Sequence, residues 1–409
     1  MEHIEHMDFN VIKLKKIITS VFIIICFFYF PYMTLVFITM MLAIANLYIN
    51  DSKLIKVNSF IYYLISTFLV CLPYSTKTLT PVMNDKGFYW GYILAVKDQS
   101  FMSWFENFSG NDIFSYFLLK LSAFISLGSI STFFVFTLIT YTILFYAIFR
   151  LTGRSCCLVI FLFISQYNFE GLYGNIIRQA LGLSIFLLAI SYEKKIKNVF
   201  YGILSSLSHF SFYIYLPIFL MPKKLMDIKT KNVILILFSC LIVGGVIIKS
   251  LINKLSSYVG FINDRAEAYQ SGDYGNSITR KIILTLIFIG IIELIYNYLK
   301  KRNLLEDIIV KVRFYFIMIT AVFFLMLSFT EAANRYSFNL MIFTMIFIGF
   351  LLDKINNFKL KYSLSLVIAV SGIALYIYIN SVGVQFFYFG QLSNILDDNV
   401  IEILQKIRL

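Results

Sequence analysis

The sequence predicts an all-α, polytopic integral membrane helical bundle, and three observations carry that prediction. Of its 409 residues, 59% are hydrophobic and only 14% charged, with a mean hydropathy of +0.81, outside the usual proportions of a soluble domain. Apolar runs of roughly 17 to 25 residues, enough to cross a hydrocarbon core about 30 Å thick, recur from end to end. The basic residues behind the formal charge of +13 sit in short clusters between those runs, where they mark cytoplasmic loops. That distribution speaks for membrane orientation and against a nucleic-acid partner. No stretch of soluble-domain size is left over, so residues 1–409 read as a single membrane domain.

Taken in order, Lys13, Lys15 and Lys16 introduce the first apolar run, 14–31. Pro31 and a second run follow without a small-residue cleavage site, so the first run reads as a retained helix and not a signal peptide. Further runs occupy 33–49, 57–73, 131–149, 155–168, 176–192, 198–220, 233–252, 281–299, 314–329, 336–352 and 362–380. Residues 113–128 are apolar but interrupted by Lys120 and several serines, a pattern that fits an interfacial helix as well as a crossing. About 11 to 13 transmembrane helices result.

Lys13 to Lys16, Lys53 with Lys56, Arg150 with Arg154, Lys194 to Lys197, Lys300 to Arg302 and Lys354 to Lys361 are expected on the cytoplasmic side. The opposite-side loops are then 74–112, 169–175, 253–279 and 330–335; the long ones, 74–112 and 253–279, are expected to belong to an active-site region. Between Lys194 and Lys300 lie three apolar runs, whereas a return to the same side needs an even number. "PKKLMDIKTK", residues 222–231, carries four lysines. Either 198–220 is a hairpin that turns back inside the membrane at "SLSHFS", or it is an ordinary span followed by misplaced lysines. Non-helical backbone at that depth is tolerated only where protein or a wet cavity surrounds it.

Several chemistries are unsupported. Cys26, Cys71, Cys156, Cys157 and Cys240 lie in apolar segments without CxxC spacing, and His3, His6 and His209 are the only histidines, so neither a metal site nor another cofactor is expected. "GGVIIKS" at 244–250 lacks phosphate-loop spacing and lies inside a span.

The informative residues are the polar ones that a bilayer disfavours, since an arginine at its centre costs about 2.5–3.5 kcal/mol on insertion scales. In "YNFEGLYGNIIRQ", Glu170, Asn175, Arg178 and Gln179 occupy an outer loop and the first turn of the next helix. A helix N-terminus carries unpaired N–H groups and partial positive charge, so an arginine there is unfavourable unless an anion is near. Phosphate matches both the amides and the guanidinium fork. Snorkelling to headgroups, or pairing with Glu170, is the structural alternative. His209, flanked by Ser205, Ser206, Ser208 and Ser211, is either a general base or a histidine bonded to helix carbonyls. "TEAANRYSFN" places Glu331 four residues before Arg335, with Tyr336 next to it, in the order that favours a helical ion pair or aims a second guanidinium at the same place. In the outer loops, Asp85, Tyr89, Arg265 and Arg280 combine a carboxylate, a ring able to stack on sugars, and positive charge; an aromatic belt and solvated loops would look the same.

Two phrases together, N-x-x-R-Q at Asn175, Arg178 and Gln179 and S-H-F-S around His209, resemble the EpsG/Wzy group of bacterial O-antigen and capsular polysaccharide polymerases. D-x-x-x-Y at Asp85 and Tyr89 and N-R-Y at Asn334 to Tyr336 add to the likeness. The resemblance implies a fold similar to GT-C-like membrane glycosyltransferases in the bacterial cytoplasmic (inner) membrane. It implies that undecaprenyl-diphosphate-linked repeat units are joined at its outer face, one as glycan donor and one as acceptor, without a metal. It also implies a chain-length regulator and a flippase of the same pathway as partners. Within that reading Arg178 and Arg335 stabilise the leaving diphosphate, His209 is the first choice of base with Glu331 or Glu170 in reserve, and Asp85 and the loop aromatics hold sugars. The competing readings are a lipid-linked oligosaccharide flippase, which would be expected to show two related halves, and an acyltransferase; no internal repeat is evident, and His209 lacks the aspartate five residues on that an HxxxxD-type arrangement needs.

Overall fold

A computed structural model describes residues 19–75, 85–108, 110–166, 169, 171–256, 275–382, 386–387, 390–391, 399 and 401–402. The expectations placed on His3, His6, Lys13 to Lys16, Glu170 and Arg265, and on the side chain of Glu331, lie outside what is described.

The apolar runs fold into helices. α1 (Thr19–Tyr29) and α2 (Pro31–Asn46) part at Pro31, whose missing N–H is tolerated only in a first turn. α3 (Ser52–Ser75) leads to α4 (Lys86–Val96), α5 (Phe101–Glu106) and α6 (Ile113–Phe124). Then come α7 (Ser129–Thr152), α8 (Cys156–Ile164), α9 (Ile177–Ser191), α10 (Lys195–Ser208) and α11 (Leu216–Phe219). α12 (Thr230–Ser256), α13 (Gly275–Lys301), α14 (Asp307–Leu325), α15 (Thr330–Phe338), α16 (Met341–Lys354) and α17 (Phe358–Val382) complete the bundle, followed by a two-residue antiparallel pairing of Phe386–Phe387 with Gly390–Gln391. Among the described residues, six helical stretches are long and apolar enough to cross a membrane, and six further apolar helices are 10 to 17 residues long. The chain is therefore an integral membrane protein. α6, with 12 residues, is one of the short ones.

The ends of the helices gather charge on one face. Arg154 pairs with Asp353 and donates to Asn50 Oδ1 at 3.3 Å; Lys354 pairs with Glu306; Lys223 lies 3.5 Å from Asp307; Lys300 lies 3.0 Å from Asp227. Arg150, Lys194 and Glu306 line a common cleft. The segments around residues 50, 150, 194, 227, 300 and 354 thus share one lysine-rich face.

This placement resolves the odd number of runs. α10 leaves the lysine-rich face, His209 follows in extended conformation (φ −154°, ψ 126°), and a 3-10 segment, Phe210–Tyr215, with α11 returns the chain to Lys223 on the same face. The 198–220 run is a hairpin, and the alternative of a simple span falls. The 14 residues of α10 rise about 21 Å. Gly202 lets the arms touch, since a Cβ there would lie 2.7 Å from the Phe219 ring. Ser205 Oγ donates to Gly182 O (2.7 Å) and Ser115 Oγ to Ser208 O (2.6 Å), fixing the hairpin against α9 and α6. His209, Ser211, Phe212 and Tyr215 of the irregular stretch are buried in protein, as the absence of water in a bilayer favours, while Tyr213 and Ile214 face outward.

Two boundaries need correction. The 169–175 segment is no exposed loop: Phe169, Leu172 and Tyr173 are buried, Phe169 stacks on Tyr173, and the Tyr173 and Ser184 hydroxyls are 2.9 Å apart. Its apolar residues outweigh its position between two runs, and a single π turn, Gly171–Asn175, delivers the chain to α9. The run predicted at 314–329 begins seven residues earlier, at Asp307, so that Lys311 and Arg313 lie inside α14. Both find partners outside α14, which hydropathy cannot register. Lys311 Nζ donates to Tyr192 O at the end of α9 (2.6 Å). Arg313, fully buried, makes a two-pronged bond to Glu293 of α13 (2.7 and 2.8 Å), donates to Ile228 O (2.6 Å), and lies 3.9 Å from the Tyr296 ring centroid. Beside it, in the loop before α12, a hydrogen bond from the Tyr296 hydroxyl, reinforced by Lys300, holds the Asp227 carboxyl below its usual range. α12 and α14 approach at Gly244, where an added Cβ would lie 1.9 Å from Phe324 O; small residues permit such contact where lipid supplies no hydrophobic drive.

Candidate active site

Two lysines position α4. Lys86 is buried and its Nζ donates to the carbonyls of Tyr74 (2.8 Å) and Ser75 (3.1 Å), at the C-terminal end of α3. Lys120, on α6, donates to Val96 O (2.5 Å) and Gln99 O (2.8 Å) at the end of α4. Each supplies positive charge and donors to carbonyls that a helix C-terminus leaves unpaired. Lys120 is therefore a cap and no mere interruption of an apolar run.

So anchored, α4 presents Tyr89 to Arg178 in the first turn of α9. Arg178 Nε donates to the Tyr89 hydroxyl oxygen (3.3 Å), and Nη1 donates to Asp112 Oδ2 (2.5 Å). The guanidinium lies 5.2 Å from the Tyr89 ring centroid and 4.9 Å from that of Tyr116, within cation–π range. Asp112, immediately before α6 and nearly buried, accepts the Phe210 N–H on its other oxygen (2.8 Å). One carboxylate thus joins the arginine to the hairpin tip. The snorkelling alternative gives way to this pairing with a residue 66 positions away; the alternative of pairing with Glu170 lies outside the described residues.

At the tip, His209 is buried, with Nδ1 2.7 Å from Ser211 Oγ. Both Arg178 and Arg335 act electrostatically on its ring. α15 closes this side: Gln179 Nε2 donates to Arg335 O (2.6 Å) and to Asn339 Oδ1 (3.1 Å), and the Tyr336 hydroxyl donates to Ser211 O (3.4 Å). Lys281 of α13 donates to Asn334 Oδ1 (2.7 Å). Four separately predicted stretches, around Tyr89, Arg178, His209 and Arg335, therefore meet in one place, on the side of the bundle away from the lysine-rich face.

Not every expected residue joins them. Arg280 is exposed near the start of α13, and its neighbour Lys281 is the one that reaches α15. Asp85 precedes α4 and acts on Tyr89 and Tyr116 through its charge. Asn175 ends the π turn ahead of α9, half-buried. Sequence reasoning missed Asp112, Lys281 and Tyr116. Asp112 carried a usable signal, an aspartate directly before an apolar run, where helix starts favour acidic residues; the other two carried none.

Gly182 sets how closely the hairpin tip meets α9. A Cβ there would lie 2.7 Å from the Phe212 ring and 3.3 Å from the His209 Cβ. Overpacking of this kind costs about 1–3 kcal/mol. Gly182→Val is expected to lower the unfolding temperature in detergent and to reduce activity beyond the loss of folded protein; unchanged values for both would show that the tip yields freely.

With this geometry in place, the sequence profile of the EpsG family matches residues 60–390, from within α3 to the terminal strand pair. The chain belongs to the EpsG family. This is a family of Wzy-like, polysaccharide-polymerase-related membrane proteins, and the matched region contains every helix that builds the EpsG site described above. No curated protein and no solved structure matches the sequence. Membership gives this EpsG protein a polysaccharide-polymerase type of membrane function.

Proposed function

We propose that the protein polymerises undecaprenyl-diphosphate-linked oligosaccharide repeat units into an O-antigen or capsule-type polysaccharide at the outer face of the bacterial cytoplasmic membrane. The observation that carries this reading is the arrival of two arginine-bearing helices, α9 and α15, at one buried histidine. In the reaction, the bond between the donor's anomeric carbon and its diphosphate oxygen breaks. A bond from the acceptor hydroxyl oxygen to that carbon forms, the hydroxyl proton passes to His209, and undecaprenyl diphosphate leaves.

Negative charge grows on the departing oxygen, and guanidinium groups fixed in a water-poor site stabilise it without reorganising. Arg178 and Arg335 take that part. Asp112 is a resident counter-ion that keeps Arg178 oriented until diphosphate arrives. Asn175 and Gln179 complete the helix start, Asp85, Tyr89 and Tyr336 contact sugars, and Lys281 adds charge beside Arg335. A chain-length regulator and a flippase of the same pathway would act on either side of this step.

His209→Gln tests the reading by complementation of a polymerase-deficient strain. Loss of a positioned base costs about 10²–10⁴-fold, so the expected result is collapse of the chain-length ladder to single repeats. An intact ladder refutes the role of His209; loss of single repeats as well points to export instead of polymerisation.

A further inference from the structure

On the lysine-rich face, remote from the site above, a cleft of about 480 Å³ opens between the end of α7, the α9–α10 turn and the start of α14. Arg150, Lys194 and Lys197 line it. Arg150 lies 4.1 Å from the Tyr192 ring centroid, and its Nε donates to Ser191 Oγ (3.1 Å) and Nη2 to Ser191 O (3.5 Å). Its Nη1 has no partner among the described residues. Lys197 Nζ lies 4.9 Å from the same ring, which is stacked in parallel on Tyr201 at 5.2 Å.

The cleft's own carboxylates leave these cations unanswered. Glu306 is paired with Lys354, and among the described residues Glu193 forms no ion pair. Three cations thus line one cleft, two of them beside the Tyr192 ring, and among the described residues none is held in an ion pair, although the Glu193 carboxylate lines the cleft with them. Next to them the surface is apolar: Tyr146, one turn before Arg150, and Ile196 and Phe200 on α10 are 46%, 78% and 60% exposed. A headgroup phosphate in the cleft would have its acyl chains beside that strip.

We propose that this cleft binds a phosphate-bearing anion, supplied by an anionic phospholipid of the surrounding leaflet. Guanidinium and ammonium groups complement phosphate oxygens, and each basic residue at a membrane surface contributes about a fivefold gain in affinity for anionic lipid.

The test uses the full chain purified in neutral detergent and titrated with phosphatidylglycerol, with phosphatidylcholine of the same acyl chains, and with inorganic phosphate. The reading is the unfolding temperature. Phosphatidylglycerol is expected to raise it and phosphatidylcholine to leave it unchanged. K194Q with K197Q, both at exposed positions, is expected to weaken the titration midpoint by roughly 25-fold relative to wild type, each protein being referred to its own unliganded unfolding temperature; R150Q is expected to remove the remaining response. A response to inorganic phosphate as well, lost in the same variants, supports the anion site but assigns it a cytosolic source. Equal midpoints in wild type and variants, or no response to any phosphate-bearing ligand, overturn it.

Discussion

Arg178→Lys is expected to reduce polymer formation by about 10²–10³-fold, close to the loss from Arg178→Ala. The charge survives in the lysine variant, but the fork does not. Arg178 uses Nε for Tyr89 and Nη1 for Asp112 while its plane lies against Tyr89 and Tyr116, and an ammonium cannot hold three such partners in one geometry and also meet a diphosphate. The measurement is the chain-length ladder in a complemented strain, normalised to protein in the membrane. A full ladder from Arg178→Lys would mean that positive charge alone suffices; a full ladder from Arg178→Ala would remove Arg178 from the site.

The second large effect concerns stability. Glu293→Gln leaves Arg313 buried with its countercharge gone, and breaking a buried pair from one side costs about 3–5 kcal/mol. Replacing both, Glu293→Leu with Arg313→Met, is expected to come out near neutral, because two desolvated charges disappear together. Unfolding temperatures in detergent for the single and double variants decide it. If the double variant is as unstable as the single, the attraction between the two charges exceeds their desolvation cost and holds α13 to α14.

Much of the fold was legible because its signals are local. A long apolar run is a helix in a bilayer since only a helix satisfies the backbone within one segment, and clustered lysines mark where runs end. The same locality explains why Arg178 drew notice: an arginine in a helix's first turn is anomalous whatever surrounds it. Its partner was missed, because an aspartate directly before an apolar run reads as an ordinary helix start, and nothing local links Asp112 to a residue 66 positions away. The buried pair was missed for a different reason. Starting the run at 314 put Arg313 just outside the membrane, and Glu293 was passed over as one carboxylate in an apolar stretch, although an ionisable residue in such a stretch calls for a partner. Lys86 and Lys120 show the complementary limit: each caps a helix other than its own, and sequence periodicity describes only one helix at a time.

The hairpin has a consequence for how sidedness is assigned along such chains. Counting the run at 198–220 as one traverse reverses the compartment given to each later connection, so that Arg335 would be drawn in the opposite compartment from Arg178. Counting it as none returns both arginines to a common aqueous side, and a sequence-derived map of any similar chain is correct only if this fold-back is recognised first.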